Sequence, residues 1–198
     1  VLQAAALLRA AKRPLIVTGR GARGHGAALT QLLDASGALY LDTQESRGLV
    51  DDAHASVVGA VRARAMQEAD LVLVVGRKLD YQMAYGSPAV FKHARFVRIA
   101  DHADELRDNR RGEVELLADA GLAAAALAAA LGKPSPTLDR EWCAALRAEH
   151  VKRAAKYAES MAQASEEVKR LEESVASKRR ELEVFRARHN IVSLQRDE

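Results

Sequence analysis

Hydrophobic positions along residues 1–131 alternate between short continuous apolar runs and longer stretches with helical spacing. The runs predict strands at residues 15–17, 38–41, 71–75, 96–99 and 114–117, and the helical spacing predicts helices near residues 2–12, 27–36, 61–67 and 120–131. The run at 71–75 contains no polar residue, which is typical of a strand that is covered on both faces. This alternation predicts a Rossmann-like α/β fold, a parallel sheet with helices on both faces.

A glycine-rich turn follows the first predicted strand. Gly19, Gly21 and Gly24 match the pattern G-x-G-x-x-G, and a helix follows at once. Glycines allow a tight turn and a close approach of a ligand, and the start of a helix favours a phosphate group. Asp42, after the second strand, could act as the acidic partner of a dinucleotide motif. The alternative is that the glycines serve only as turn residues, and the motif alone does not decide between the two.

Parallel strands bring their carboxyl ends to one edge of the sheet, where ligands of such folds bind. The glycine-rich turn, the turn at Gly76-Arg77-Lys78 and Asp101 all follow strands and are expected at this edge. Cations in these turns could neutralise phosphates, although solvated loop cations are the alternative. These cations are Arg20, Arg23, Arg77 and Lys78.

Composition narrows the function classes. The chain has 30 basic and 27 acidic residues and a net charge of +3, which does not indicate a nucleic-acid-binding surface. It contains no long uncharged apolar run, so neither a membrane span nor a membrane partner is expected. The single cysteine, Cys143, excludes an intrachain disulfide and fits a cytoplasmic protein. The histidines lie on separate loops and do not indicate a metal site.

The character of the chain changes after residue 131. Residues 132–140 form a predicted linker with two prolines, and Asp139 is a candidate N-cap for a long charged helix over 141–198. Within this helix a heptad pattern predicts an apolar stripe and a possible coiled coil, which Lys178 interrupts and His189 continues. The apolar stripe consists of Val168, Leu171, Val175, Leu182 and Phe185.

Two interpretations of the helix remain open. It is either a solvated charged helix or an association element for a second copy or a foreign helix, with Glu172–Arg179 and Glu181–Arg188 as flanking charge pairs. The composition shifts near residues 160–165, which suggests an engineered or natural fusion of two segments. The last residues, 191–198, are expected to fray or to form a contact segment.

Four ordered segments resemble one known family. They are RPLIVTGRGA, EADLVLVVGRKLDYQMAYG, FVRIADHADELRDNR and VELLADAGLAAAALAAAL. Over residues 1–131 they are similar to the central domain of thiamine-diphosphate-dependent enzymes of the acetolactate synthase group. The second segment is most similar to the oxalyl-CoA decarboxylase and 2-hydroxyacyl-CoA lyase branch.

The resemblance implies a non-catalytic domain of such an enzyme, for which thiamine diphosphate is not expected to bind this fragment alone. The resemblance also implies a site for ADP or FAD, which the central domain binds in relatives, although some members leave it empty. Carried over by motif, the residues of that site would be Gly19, Gly21, Gly76, Arg77 and Asp101. The alternative is a structural or interaction protein in which the coiled-coil helix is the working part and the globular domain a carrier.

Overall fold

The computed structural model describes residues 1–189, so the segment 191–198, expected to fray or to make contacts, lies outside the described residues. The elements follow the alternation predicted from the sequence. The strands are β1 (Pro14–Thr18), β2 (Leu39–Leu41), β3 (Leu71–Val75), β4 (Arg95–Ala100) and β5 (Val114–Leu117). The helices are α1 (Leu2–Ala10), α2 (Gly26–Ser36), α3 (Arg62–Glu68), α4 (Ala103–Leu106), α5 (Ala120–Leu131) and α6 (Arg140–Arg188).

All strand pairs are parallel, and the strands are ordered β2-β1-β3-β4-β5. Successive side chains of a strand point to opposite faces, so each central strand contributes to two cores. Ile16 and Leu73 pack in one core with α1, α2 and α5, whereas Leu15 and Val72 pack in the other. The predicted α/β fold with helices on both faces is therefore confirmed.

The second core is completed by α3 and by the first turns of α6. Asp139 caps α6, because its Oδ1 accepts a hydrogen bond of 2.9 Å from the Trp142 N–H. Trp142 and Leu146 are 5% and 0% exposed and pack in the same core as Leu15. The Trp142 indole N–H donates to Glu68 Oε2 at 2.8 Å, which ties the start of α6 to the end of α3.

The segment 132–140, predicted as a linker, lies against the α/β core. Ser135 is buried, the Thr137 hydroxyl donates to the Arg9 carbonyl at 3.0 Å, and Asp139 N–H donates to the Lys12 carbonyl at 2.8 Å. Residue contacts divide the chain into two compact units, Val1–Arg153 and Ala154–Glu198. The segment 132–140 and the first turns of α6 therefore belong to the same unit as the sheet. The predicted boundary at 131 follows a change in composition, whereas the boundary in the structure follows the buried side chains of α6.

The unit that begins at Ala154 contains the rest of α6. The helix runs without a break through residues 160–165, where the composition changes. Every residue from 155 to 189 is exposed, including the whole apolar stripe. No helix within residues 1–189 is both long and apolar enough to cross a bilayer.

Arg98 is a charged residue in the middle of a run that the sequence presents as an apolar strand. Its side chain is 1% exposed, and its guanidinium donates to Asp108 Oδ2 at 2.9 Å and to the Arg110 carbonyl at 2.7 Å. Asp108 also accepts a hydrogen bond of 2.7 Å from the Leu79 N–H. A buried charge needs such partners, so this ion pair holds the loops after β3 and β4 together.

Candidate functional site

The sheet has a topological switch point between β1 and β3. The chain adds β2 on one side of β1 and then adds β3, β4 and β5 on the other side. The loops that follow β1, β2 and β3 meet at the carboxyl edge of the sheet beside this point. This edge is where ligands of open α/β sheets bind, and it is the edge predicted from the sequence.

The glycines of the first loop allow two backbones to touch. Gly19 N–H donates to the Val75 carbonyl at 3.0 Å, and Gly21 N–H donates to the Gly76 carbonyl at 2.9 Å. A Cβ on Gly21 would lie 2.8 Å from Gly76 Cα, which is too close for any side chain. Gly76 adopts a φ of +58°, and a Cβ there would lie 2.5 Å from Gly21 C. The three glycines therefore lie together, and their first role is to pack the loops after β1 and β3.

Arg77 extends this contact. A Cβ on Gly19 would lie 2.7 Å from the Arg77 Cβ, so the arginine lies directly over the first glycine. Its guanidinium donates to Asp80 Oδ1 at 3.1 Å and to Gln82 Oε1 at 2.6 Å. Its Nε is buried and has no hydrogen-bond partner among the described residues. The side chain is held in place and presents its guanidinium at the edge of the sheet.

A cleft of about 230 Å³ opens beside Arg77, and we call it the arginine cleft. It is lined by Leu41, Asp42, Thr43, Gln44, Arg47, Gly59, Arg62, Arg77, Gln82 and Met83. Three of these side chains are guanidinium groups and one is a carboxylate, and Arg47 Nε lies 3.9 Å from that carboxylate, on Asp42. The lining side chains carry three positive charges and one negative charge, and Arg77 is also paired with Asp80, so among the described residues one positive charge, that of Arg62, remains to suit a phosphate or diphosphate.

A buried hydrogen-bond network holds one wall of the arginine cleft. Thr18 Oγ1 lies 2.8 Å from the Tyr40 hydroxyl and donates to Ser46 Oγ at 3.0 Å, while Thr43 Oγ1 donates to the Thr18 carbonyl at 2.7 Å. Burial raises the pKa of Tyr40 to about 12, against the lowering effect of the Thr18 hydrogen bond. The network fixes the loop that carries Arg47 to the end of β1.

The remaining predicted residue, Asp101, follows β4 and does not line the arginine cleft. Its Oδ1 lies 2.8 Å from Nδ1 of His102. That hydrogen bond lowers the pKa of Asp101 and raises the pKa of His102. The structure thus brings Gly19, Gly21, Gly76 and Arg77 together and places Asp101 outside the arginine cleft, while the role of all five as ligand contacts stays a prediction.

Sequence reasoning missed Arg47, Arg62 and Gln82 as lining residues. Arg47 was within reach of prediction, because it lies in the loop after the second strand. Arg62 begins α3, and nothing in the local sequence distinguishes it from any solvated helix residue. Gln82 lies in a turn beside Ala84 and Tyr85, whose φ angles of 48° and 55° are unusual for residues other than glycine.

The described residues offer little for other chemistry. No group of three or more His, Cys, Asp or Glu side chains within residues 1–189 is arranged to hold a metal ion. Burial raises the pKa of the Cys143 thiol to about 11, with the Asp139 carboxylate adding to the shift. A thiol of this kind stays protonated at neutral pH and is a poor nucleophile, as expected for a structural cysteine.

Comparisons with known proteins show which family the chain belongs to. Residues 1–127 match the sequence model of the thiamine pyrophosphate enzyme, central domain. The chain is 36% identical over 122 residues to 2-hydroxyacyl-CoA lyase 1 of Mus musculus, covering 60% of this chain and 21% of that protein. It is 29% identical over 121 residues to oxalyl-CoA decarboxylase of Escherichia coli (strain K12), covering 60% and 22%. The chain thus spans about a fifth of the length of the curated relatives that it matches.

The fold is shared with solved structures. A thiamine diphosphate-dependent 4-hydroxybenzoylformate decarboxylase of Rhodococcus jostii RHA1 superposes with a TM-score of 0.55 at 24% identity, covering 68% of this chain and 27% of that one. At this identity the likeness concerns the fold alone. Together with the match over residues 1–127, it agrees with the α/β fold described above. The chain therefore belongs to the thiamine pyrophosphate enzyme central domain family.

Proposed function

We propose that this chain provides the non-catalytic central domain of a thiamine-diphosphate-dependent lyase or decarboxylase, and that the domain binds an adenine nucleotide such as ADP or FAD. The first part is supported by the names of the relatives, a 2-hydroxyacyl-CoA lyase and an oxalyl-CoA decarboxylase. The main support for the second part, nucleotide binding, is the arginine cleft. Three arginines line a cavity at the carboxyl edge of the sheet, next to the switch point.

The size of the arginine cleft limits which part of a nucleotide it holds. Its volume of about 230 Å³ is smaller than the several hundred Å³ typical of pockets that enclose a whole ligand. The diphosphate is the part that the arginines suit, and in the proposed pose Asp42 accepts a hydrogen bond from a ribose hydroxyl. The adenine and any flavin extend beyond the cleft. Both ADP and FAD carry the diphosphate, so both are candidate ligands.

Thiamine diphosphate also carries a diphosphate, and it provides a sharp comparison. In the proposed enzyme the thiamine cofactor is bound by other parts of the protein, and this domain contributes only the binding site for the adenine nucleotide. We therefore expect ADP or FAD to bind the chain and thiamine diphosphate with magnesium not to bind.

Isothermal titration calorimetry with ADP, FAD and thiamine diphosphate tests the proposal. We expect ADP or FAD to bind with micromolar affinity, roughly −8 kcal/mol. Arg62→Ala should weaken that binding about tenfold, because it removes one charge-assisted contact to the diphosphate. Arg62 suits the test because it is exposed at the start of α3, whereas Arg77 packs against Gly19 and its loss would disturb the loops.

Arg95→Ala is the matched control. Arg95 is also an exposed arginine, but it begins β4 at the opposite edge of the sheet, where its nearest carboxylate is Glu113 at 3.6 Å. Affinity for the nucleotide should stay unchanged in this variant. Equal losses in the two variants would point to non-specific charge attraction, and no heat from either nucleotide would refute the binding proposal.

A second candidate function is association through α6. It is favoured by the exposure of the apolar stripe, in which Leu171 is 59% exposed and Phe185 52% exposed. Such a stripe on a helix is usually covered by a partner. Changing both Leu171 and Leu182 to Asp should convert an oligomer to a monomer in sedimentation velocity. An oligomer of unchanged mass would show that the stripe is not the contact.

A further inference from the structure

The apolar stripe repeats with heptad spacing along α6. Val168, Val175 and Leu182 are seven residues apart and occupy the a positions, and Leu171 and Phe185 are fourteen residues apart and occupy d positions. Each of these side chains is 46–59% exposed. Within residues 155–189 no described side chain covers the stripe, since all of these residues are exposed. In a coiled coil, the charges that flank such a stripe determine the partner helix and its direction.

We propose that the apolar stripe is covered by α6 of a second copy of the chain, and that the two helices run antiparallel with their crossing centred between Ala176 and Ser177. This inference rests on the proposed helix-mediated association and specifies its partner, direction and register. The groove between Val168, Leu171 and Val175, which Glu172 and Arg179 flank, receives the second helix. The core layers and the flanking charges both favour this arrangement.

The core layers favour the antiparallel direction. In this arrangement each a residue faces a d residue of the other helix, so Val168 faces Phe185, Leu171 faces Leu182, and Val175 faces Lys178. A parallel in-register pair would instead place Lys178 directly beside its own copy in a d layer. Lys178 Nζ already pairs with Glu181 Oε2 of its own helix at 2.7 Å. Its aliphatic stem can therefore pack on Val175 while the ammonium reaches outward.

The flanking charges favour the same direction. In an antiparallel pair, e positions meet e positions and g positions meet g positions across the interface. At the proposed register Glu172 meets Arg179 and Glu167 meets Arg188, and each pair occurs twice because of the two-fold symmetry. In a parallel pair, g meets the following e, which would set Glu167 against Glu172. Every charged pair of the antiparallel arrangement thus joins opposite charges, whereas the parallel one combines the like pair Glu167–Glu172 with one opposite pair, Glu181–Arg186.

The register follows from the same charges. A slip of one heptad in one direction would set Glu172 opposite its own copy and Glu167 opposite Glu181. A slip in the other direction would set Arg179 opposite its own copy. Like charges facing each other destabilise a helix pair. Only the crossing between Ala176 and Ser177 gives opposite charges in both the e and the g rows of the described helix.

Sedimentation velocity of charge variants tests the direction. Wild type is expected to be a dimer, and Glu172→Arg should raise the dissociation constant on the order of tenfold, because Arg179 of the second copy then meets a like charge. Adding Arg179→Glu restores the pair and should restore the affinity. In a parallel pair the same Glu172→Arg change would face Glu167 and tighten the dimer, so the sign of the effect reports the direction.

Glu173→Arg is the matched control, because this neighbouring residue occupies the outward f position and undergoes the same change of charge. Its dissociation constant should equal that of wild type. A monomeric wild type would overturn both the association and its direction. A dimer that Glu172→Arg tightens, or that responds equally to Glu172→Arg and Glu173→Arg, would leave the association standing and overturn the antiparallel register.

Discussion

The two compact units of this chain differ in how their hydrophobic side chains are used. In Val1–Arg153 the apolar residues of β1, β2, β3 and β4 pack in two cores of the same unit, and Leu146 of α6 is 0% exposed. In the rest of the same helix, Leu171 is 59% exposed. The helical pattern of the sequence is continuous through both parts. An apolar helix face stabilises the fold only when other residues cover it, and the periodicity of the sequence does not show whether they do.

The largest expected effect lies at the buried ion pair of the α/β unit. Arg98→Met removes the partner of Asp108, which leaves a nearly buried carboxylate beside the Leu79 N–H and should lower the free energy of unfolding by about 3–5 kcal/mol. Urea denaturation measures this loss. The matched change on the exposed helix, Arg170→Met, should alter the unfolding of the α/β unit by less than about 0.5 kcal/mol. A loss below about 1 kcal/mol for Arg98→Met would contradict the role assigned to the pair.

A leucine in each part of α6 gives the most direct test of the comparison. Leu146→Ala should lower the free energy of unfolding of the α/β unit by about 3 kcal/mol, because it leaves a cavity beside Trp142. Leu171→Ala, the same substitution on the same helix, should leave that free energy within about 0.5 kcal/mol, since no core residue is lost. Thermal and urea unfolding of both variants measure the difference. Equal losses would mean that both leucines are buried in the folded protein.

The glycine contact should show a smaller effect. Gly76→Ala places a Cβ 2.5 Å from Gly21 C at a φ of +58°, so we expect a loss of about 2 kcal/mol or more. Gly24→Ala also has a positive φ, +83°, but no atom lies within 4 Å of the added Cβ. That variant should lose about 1 kcal/mol, which is the backbone cost alone. Similar losses for the two glycines would show that the loops after β1 and β3 do not depend on their close approach.

The smallest expected effect concerns pH. Burial raises the pKa of Tyr40 to about 12 from the ordinary value of 10.0, so the folded state favours the protonated phenol. The resulting stability is complete below pH 10 and is lost as the pH rises toward 12, by roughly 1–2 kcal/mol. Urea denaturation at increasing alkaline pH measures this change. Tyr40→Phe loses the hydrogen bond to Thr18 at every pH, and the part of the pH dependence due to Tyr40 should disappear with it.

Much of the fold was predictable because its signals are local. The apolar run of β3 and the N-cap at Asp139 each depend on residues that are close together in the sequence, and the structure confirms both. The glycine loop was predictable as a turn at the carboxyl edge of the sheet, since parallel strands end at the same edge. The role of its glycines was not, because their closest contacts are with Gly76 and Arg77, more than fifty positions away.

The sequence by itself determined the alternation of strands and helices, the family and the heptad spacing of the apolar stripe. Each of these is a pattern of neighbouring residues, and the period of a helix or a strand converts it directly into structure. Only the tertiary structure decided the strand order, the burial of Arg98 and the meeting of Arg47, Arg62 and Arg77 in one cleft. Those features depend on contacts between segments far apart in the chain, and such segments meet only in the packed α/β unit.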